Sequence, residues 1–257
     1  MSWIAEFFDD VYLDFMQYYR GEEATRQEAL FIQKALGISP GKRVLDVACG
    51  HGRHMAHMPR DSVVGVDINV KYLKYAKRFG DVVAGDVRNP PFRRGAFHGA
   101  YIMHSTLGMF GPEADLEILT WLSGIIKPGG RLLVDVANKA KIEDIYAALG
   151  ETWNFWISAG PYRVLSTAHY NPLHSKIREV RQIYKAGKYL GERVLELTLY
   201  GLGELRIMLS TVGFVVEAAY GDFNGEEYRR GSDRLIVVAM KTSGVSKALE
   251  EAVKWTK

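Results

Sequence analysis

The chain has 257 residues, of which 47% are hydrophobic, 25% charged and 12% aromatic, a balance that excludes a disordered chain and suits one large domain or one domain carrying an insertion. Lys and Arg total 33 against 30 Asp and Glu, and the net charge of +3 is not the basic field of a dedicated nucleic-acid binder. The single cysteine, Cys49, excludes an internal disulfide and a cysteine-built zinc site, so a cytoplasmic address is expected.

The acids and aromatics of residues 1–10 do not read as a secretory leader. Residues 4–37 read as two helices split near Gly21 and stopped by Gly37 ahead of Pro40, an N-terminal helical cap over 1–40. From Arg43 short apolar runs follow: RVLDVA (43–48), SVVGVD (62–67), DVVAGD (81–86), GAYIMH (99–104) and RLLVDVAN (131–138). Consecutive Val, Ile and Leu, with room for a helix between runs, predict β/α alternation and parallel strands buried on both faces, a core over 41–150. The stretch 95–112 lacks Asp, Glu, Lys and Arg, yet its Gly, Pro and His make it a poor membrane span. Residues 151–200 alternate with period two, as in YRVLSTAHY and KIREVRQIY, and predict three or four inserted antiparallel strands. Residues 201–242 supply a helix stopped by Gly213 and two closing strands, and 243–257 a peripheral helix or frayed tail. The fold class is a doubly wound seven-stranded α/β sheet with a helical cap and an antiparallel lid.

The chemistry concentrates in VLDVACGHGRH (44–54), an apolar strand followed by Gly50-His51-Gly52 turning into a helix. Two such glycines let the backbone pass close to a ligand and aim N–H groups at an anion. A dinucleotide fingerprint would place Gly or Ala where Met55 stands. Asp67 ends the next strand, 17 residues after Gly50, at the place for a ribose-binding acid, and Asp86 ends the third, with the Val87 backbone beside it for a base edge. A helix end and a Pro-Gly-Gly turn, IKPGGR (126–131), lead into the fifth strand.

VLDVACGHGRH, VVGVDIN, GDVRN and IKPGGRLLVDV together resemble the class I S-adenosylmethionine-dependent methyltransferases, over about residues 30–241. STLGMF (105–110), the insert and YGDFNGEEYRRGSDRLIVVAMK resemble a branch with a three-stranded lid over the acceptor site. The resemblance implies S-adenosylmethionine as cofactor, with Gly50 and Gly52 at its methionine end, Asp67 on the ribose and Asp86 and Val87 at the adenine. It also implies Met103, His104 and Ser105 beside the transferred methyl group. Asp46 would orient the glycine loop or the cofactor amino group, and Ala48 and Ile68 complete the expected cofactor set. The implied reaction is methyl transfer to an O, N or C nucleophile, with His104 as candidate base; a tyrosine or Glu226 are alternatives.

Other readings stand beside it. Asn89-Pro90-Pro91-Phe92 matches an amino-methylating motif but precedes the better fourth strand, so a Pro-rich loop is expected. His51, His54, His57, His98 and His104 lack a carboxylate at ligand spacing, and no metal is expected. Tyr12, Tyr18, Tyr19 and Trp156 are candidate acceptor-lining aromatics, and Arg163, Arg178 and Arg181 would suit an acidic substrate group. A lid favours a small-molecule acceptor, with no membrane or nucleic-acid partner and a monomer or homodimer. RNA or protein methylation, a nicotinamide-dependent oxidoreductase and a non-catalytic cofactor-binding module are the alternatives.

Overall fold

The computed structural model describes residues 6–243. Two helices, α1 (Asp10–Tyr19) and α2 (Glu22–Leu36), precede the sheet, and Asp9 caps α1 by accepting from the Tyr12 backbone N–H at 2.9 Å. The chain then runs through β1 (Val44–Val47), β2 (Val63–Asp67), α3 (Val70–Ala76), β3 (Asp81–Ala84), β4 (Phe97–Ile102), α4 (Pro112–Ile125) and β5 (Ile126–Ala137). After α5 (Lys139–Leu149) come β6 (Thr152–Ala159), β7 (Tyr162–Asn171), β8 (Lys176–Lys185) and β9 (Lys188–Thr198). The last elements are α6 (Leu202–Thr211), β10 (Phe214–Tyr220) and β11 (Arg234–Lys241).

The main sheet has seven strands in the order β10-β11-β5-β4-β1-β2-β3. Its strands pair in parallel except β11, which is antiparallel to both β5 and β10. Every residue of β1 and β2 is buried, as the unbroken apolar runs predict for strands covered on two faces. Strand order reverses between β1 and β4: the chain leaves β1 toward β2 and β3, then crosses back to β4. A crevice opens at the carboxyl ends of strands at such a point.

One face of the sheet packs against α4 and α6 through Ile118, Leu119, Leu122, Leu205 and Leu209. The other packs against α2 and α3 through Ala29, Ile32, Leu36, Leu73 and Ala76. So α2, read from sequence as part of a cap, is a layer of the core, and α1 lies against the lid, which also meets α5 through Tyr146 and Tyr170. The lid is one four-stranded antiparallel sheet, β6-β7-β8-β9, where the family resemblance implied three strands. Tyr162, Val164 and Ile183 on its inner face enclose Phe15 of α1.

A helix was expected straight after Gly52. Instead two single-turn 3-10 segments, Met55–His57 and Arg60–Ser62, cross to β2. Met58 is extended before Pro59, whose ring restricts the residue ahead of it and removes a backbone donor, so an α-helix cannot run through. The C-terminal tail expected over 243–257 falls, beyond Ser243, outside the described residues. No helix among them is long and apolar enough to cross a membrane.

Candidate active site

The glycine loop at the end of β1 holds three successive exceptions to ordinary backbone geometry. Ala48, Gly50 and Gly52 have φ of 59°, 56° and 82°. A Cβ on Gly52 would stand 2.8 Å from the Cα of Ala76, so the loop lies directly on α3. Asp67, at the end of β2, fixes it from the other side: Oδ2 accepts from the Gly50 N–H and Oδ1 from the Asn69 N–H, each at 2.8 Å. Burial raises the Asp67 pKa, and those N–H groups oppose the rise. Ile68 beside it is exposed. Asp46 lies inside β1, buried opposite Tyr101 of β4, and burial pushes its carboxyl up to about 7. Burial likewise raises the Cys49 thiol, which stays protonated against Gly65.

At the tip of β4, His104 and Ser105 have φ of 54° and 62°. Left-handed geometry in non-glycine residues persists only where surroundings impose it. Here Asp135 of β5 does so, its Oδ2 accepting from the His104 N–H at 2.8 Å and its carbonyl from the Ser105 N–H at 3.0 Å. Ser105 Oγ in turn accepts from the Ala137 N–H at 2.8 Å. Met103 is buried beside them. The strained tips of adjacent strands β1 and β4 thus form the two lips of the switch-point crevice.

Sequence reasoning missed Glu28, which α2 drives into this crevice. It is only 3% exposed. Its carboxylate meets Arg53 Nη1 at 2.7 Å, His54 Nε2 at 2.8 Å, His104 Nε2 at 3.3 Å and Arg20 Nη1 at 3.8 Å. Arg53 also contacts His104 Nε2. Burial alone would raise the Glu28 pKa, but hydrogen bonds to His104 and His54 and the Arg53 charge hold it well below the carboxylate range. Burial and Arg53 push His54 down to about 3 and lower His104 as well, so both imidazoles are neutral at pH 7. The histidines therefore do have a carboxylate partner, contrary to the spacing argument. Glu28, His54 and His104 offer ligand atoms within 4.8 Å of one another, but the Arg53 guanidinium already supplies the positive charge there. A signal existed: Glu28 shares an inward stripe with Thr25, Ala29, Ile32 and Leu36, where a lone carboxylate is out of place.

Asp86 follows β3 and is taken by Arg88, with Nε and Nη2 at 2.5–3.1 Å, and this pairing lowers its pKa. Val87 next to it is buried. The Asn89–Phe92 segment is a loop whose Phe92 packs 5.1 Å from Phe97 and 6.0 Å from Trp121. It precedes β4, away from the strand tip.

The aromatic candidates separate. Tyr12 is turned inward, its pKa raised by burial against the charges of Arg181, Arg53 and Arg20. Tyr18 and Tyr19 are half exposed, Tyr18 6.0 Å from Tyr162 and Tyr19 stacked on Phe15 at 5.1 Å. Trp156 is 61% exposed and pairs with Leu165 on the lid face opposite to buried Val164, so it does not join Tyr12. Strand alternation decides this: one residue's shift puts a side chain on the other face. Of the lid arginines, Arg181 points inward and Arg178 outward, because they are three residues apart on β8.

Comparison with known proteins agrees with this geometry. Residues 44–130 match the family model described as "Methyltransferase domain". Over that stretch the chain is similar to this family, and its fold is like that of the class I methyltransferases. The match spans β1 through the start of β5, the part that builds the crevice. Among curated relatives, demethylmenaquinone methyltransferase of Corynebacterium kroppenstedtii is 37% identical over 105 residues, 40% of this chain and 44% of that protein. Sterol 24-C-methyltransferase of Yarrowia lipolytica is 28% identical over 131 residues, 45% of this chain and 34% of that protein. The chain thus spans less than half the length of either relative. Among solved structures, the CcbJ methyltransferase of Streptomyces caelestis superposes with a TM-score of 0.76 at 17% identity, covering 92% of this chain and 98% of that one. CalS10, an amino pentose methyltransferase from Micromonospora echinaspora, gives 0.65 at 17% identity, covering 91% and 98%. The likeness of fold thus extends beyond the matched residues, through lid and closing strands.

Proposed function

We propose that the protein is an S-adenosylmethionine-dependent methyltransferase of the cytoplasm, acting on an O, N or C nucleophile of a small molecule. The observation that carries this reading is the pair of strained lips, Ala48 to Gly52 and His104 to Ser105, set around the switch point with Asp67 closing the loop. The residues present fit the cofactor: two glycines leave a cradle without Cβ atoms, and Asp46, Asp67 and Asp86 stand on or just beyond three successive strands. Gly50, Gly52 and Ala48 would hold the methionine end, Asp67 and Ile68 the ribose, and Asp86 and Val87 the adenine. The names of the relatives and the "SAM bound" CalS10 structure support the same assignment. When bound, the cofactor supplies an activated methyl group and a good leaving group.

The chain's own contribution is alignment and exclusion of water. Met103, His104 and Ser105 lie where the nucleophile must enter. A neutral imidazole at His104 can take the proton of an acceptor hydroxyl, whereas an amine sheds its proton before binding. The lid and α1 cover the crevice, which suits a small acceptor better than a polymer.

Calorimetric titration with S-adenosylmethionine, S-adenosylhomocysteine and NADH tests the reading. Binding of the two adenosyl ligands alone is expected, weakened about tenfold or more in Asp67→Ala. Binding of NADH alone, or of no ligand, would sink the assignment.

A further inference from the structure

The inner face of the lid carries a polar row that packing does not require. The strand register sets Ser166 of β7 opposite Arg181 of β8, and Arg181 opposite Arg193 of β9. This is the face on which Tyr162, Val164 and Ala168 are buried. Like charges directly opposite in an antiparallel pair repel, and a buried hydroxyl without a partner costs about 1–3 kcal/mol. A sheet selected only for stability would place apolar residues here.

The charges are balanced but the donors are not used up. Glu179 holds Arg181 through two bonds of 2.9 Å, and Asp9 holds Arg193. Ser166 is 0% exposed, yet its Oγ has no hydrogen-bond partner among the described residues, and neither does the buried Nε of Arg193. The buried Nε of Arg20 is a further donor without a partner among the described residues, and the Tyr12 hydroxyl lies within the field of Arg181 and Arg20. Each of these groups can donate, so the missing partner is rich in acceptor oxygens. Phe7 lies 5.5 Å from the Arg181 guanidinium and 5.4 Å from the Tyr12 ring, an apolar wall beside them.

The row is linked to the cofactor crevice. Asp9, whose carboxylate holds Arg193, accepts at its carbonyl from the Tyr72 hydroxyl at 2.8 Å. The Tyr72 ring stands 6.3 Å from His51 in the glycine loop. We propose that Ser166, Arg181 and Arg193, with Tyr12, form an acceptor subsite that takes the anionic oxygens of a small carboxylate- or phosphate-bearing methyl acceptor. The subsite rests on the methyltransferase reading above.

The test titrates benzoate, phenyl phosphate and neutral benzyl alcohol into the full chain, with and without saturating S-adenosylhomocysteine. At least one anion binds and the alcohol does not, and the stronger anion identifies carboxylate or phosphate as the group read. Ser166→Ala and Arg181→Lys each weaken that anion about tenfold and change S-adenosylhomocysteine affinity by less than about twofold. Ser166→Ala melts no lower than the parent, because the hydroxyl it removes has no partner among the described residues. Equal binding of benzyl alcohol, or no anion binding up to about 50 mM, overturns the subsite. So does a loss of S-adenosylhomocysteine affinity in both variants without loss of anion binding, which would assign the donors to the cofactor's own carboxylate. If the parent binds an anion but not S-adenosylhomocysteine, the methyltransferase reading fails and with it the acceptor role, and only an anion site is left.

Discussion

Asp46 shows what a single buried acid does to the whole chain. Its carboxyl stands at about 7 in the fold because burial outweighs the hydrogen bond from Tyr101, against an ordinary value of 3.8. Between those values the native state keeps a proton that the unfolded chain has lost. Stability from this residue is therefore fully present below about pH 4 and falls as pH rises toward 7. Denaturant unfolding at pH 5 and pH 8 should show the parent losing on the order of 2 kcal/mol more than Asp46→Asn over that interval. Parallel pH slopes in the two proteins would count against the burial argument. Asp67 was legible as an acid at a strand end, but its hold on the Gly50 N–H was not, since a loop's return path is invisible in spacing. Asp86 was legible in the same way, whereas its capture by Arg88 depends on side-chain reach across a turn.

Among the elements, α2 departs most from its sequence reading. Its periodicity and its stop at Gly37, a left-handed cap, were plain in the sequence. The face it presents was not, because one carboxylate in an apolar stripe has meaning only once His54, Arg53 and His104 arrive from other segments. Glu28→Ala removes the carboxylate that pairs Arg53 and leaves a guanidinium uncompensated under the helix. Breaking a buried pair from one side costs about 3–5 kcal/mol, and a fall of that size in unfolding free energy is expected. A change under about 0.5 kcal/mol would mean that solvent reaches Arg53 and that the cluster is not a buried network. The missing helix after Gly52 has an equally local cause, since Pro59 stands too close to the loop for a helical run to form.

At the scale of the molecule, the main sheet is covered on both faces while the lid is covered in patches, by Phe15 of α1 and by Tyr146 of α5. Phe15 with Tyr162, Val164 and Ile183 makes a small core of its own, apart from the two that flank the main sheet. Regions with fewer buried apolar contacts open at lower free energy. Hydrogen exchange should therefore find α1, β7 and β8 exchanging as one unit, ahead of β1, β4 and β5. Equal protection in lid and main sheet would show that they unfold together. The sequence by itself determined the β/α order, the seven strands, the glycine loop and the acids at strand ends. Those features come from short-range steric and hydrophobic rules that act within a few residues. Only the tertiary structure decided that Trp156 faces outward, that Glu28 joins two histidines and an arginine, and that Ser166, Arg181 and Arg193 form one row. Each of these depends on strand register or on segments far apart in the chain, and the free energy that selects them comes from burying whole faces together.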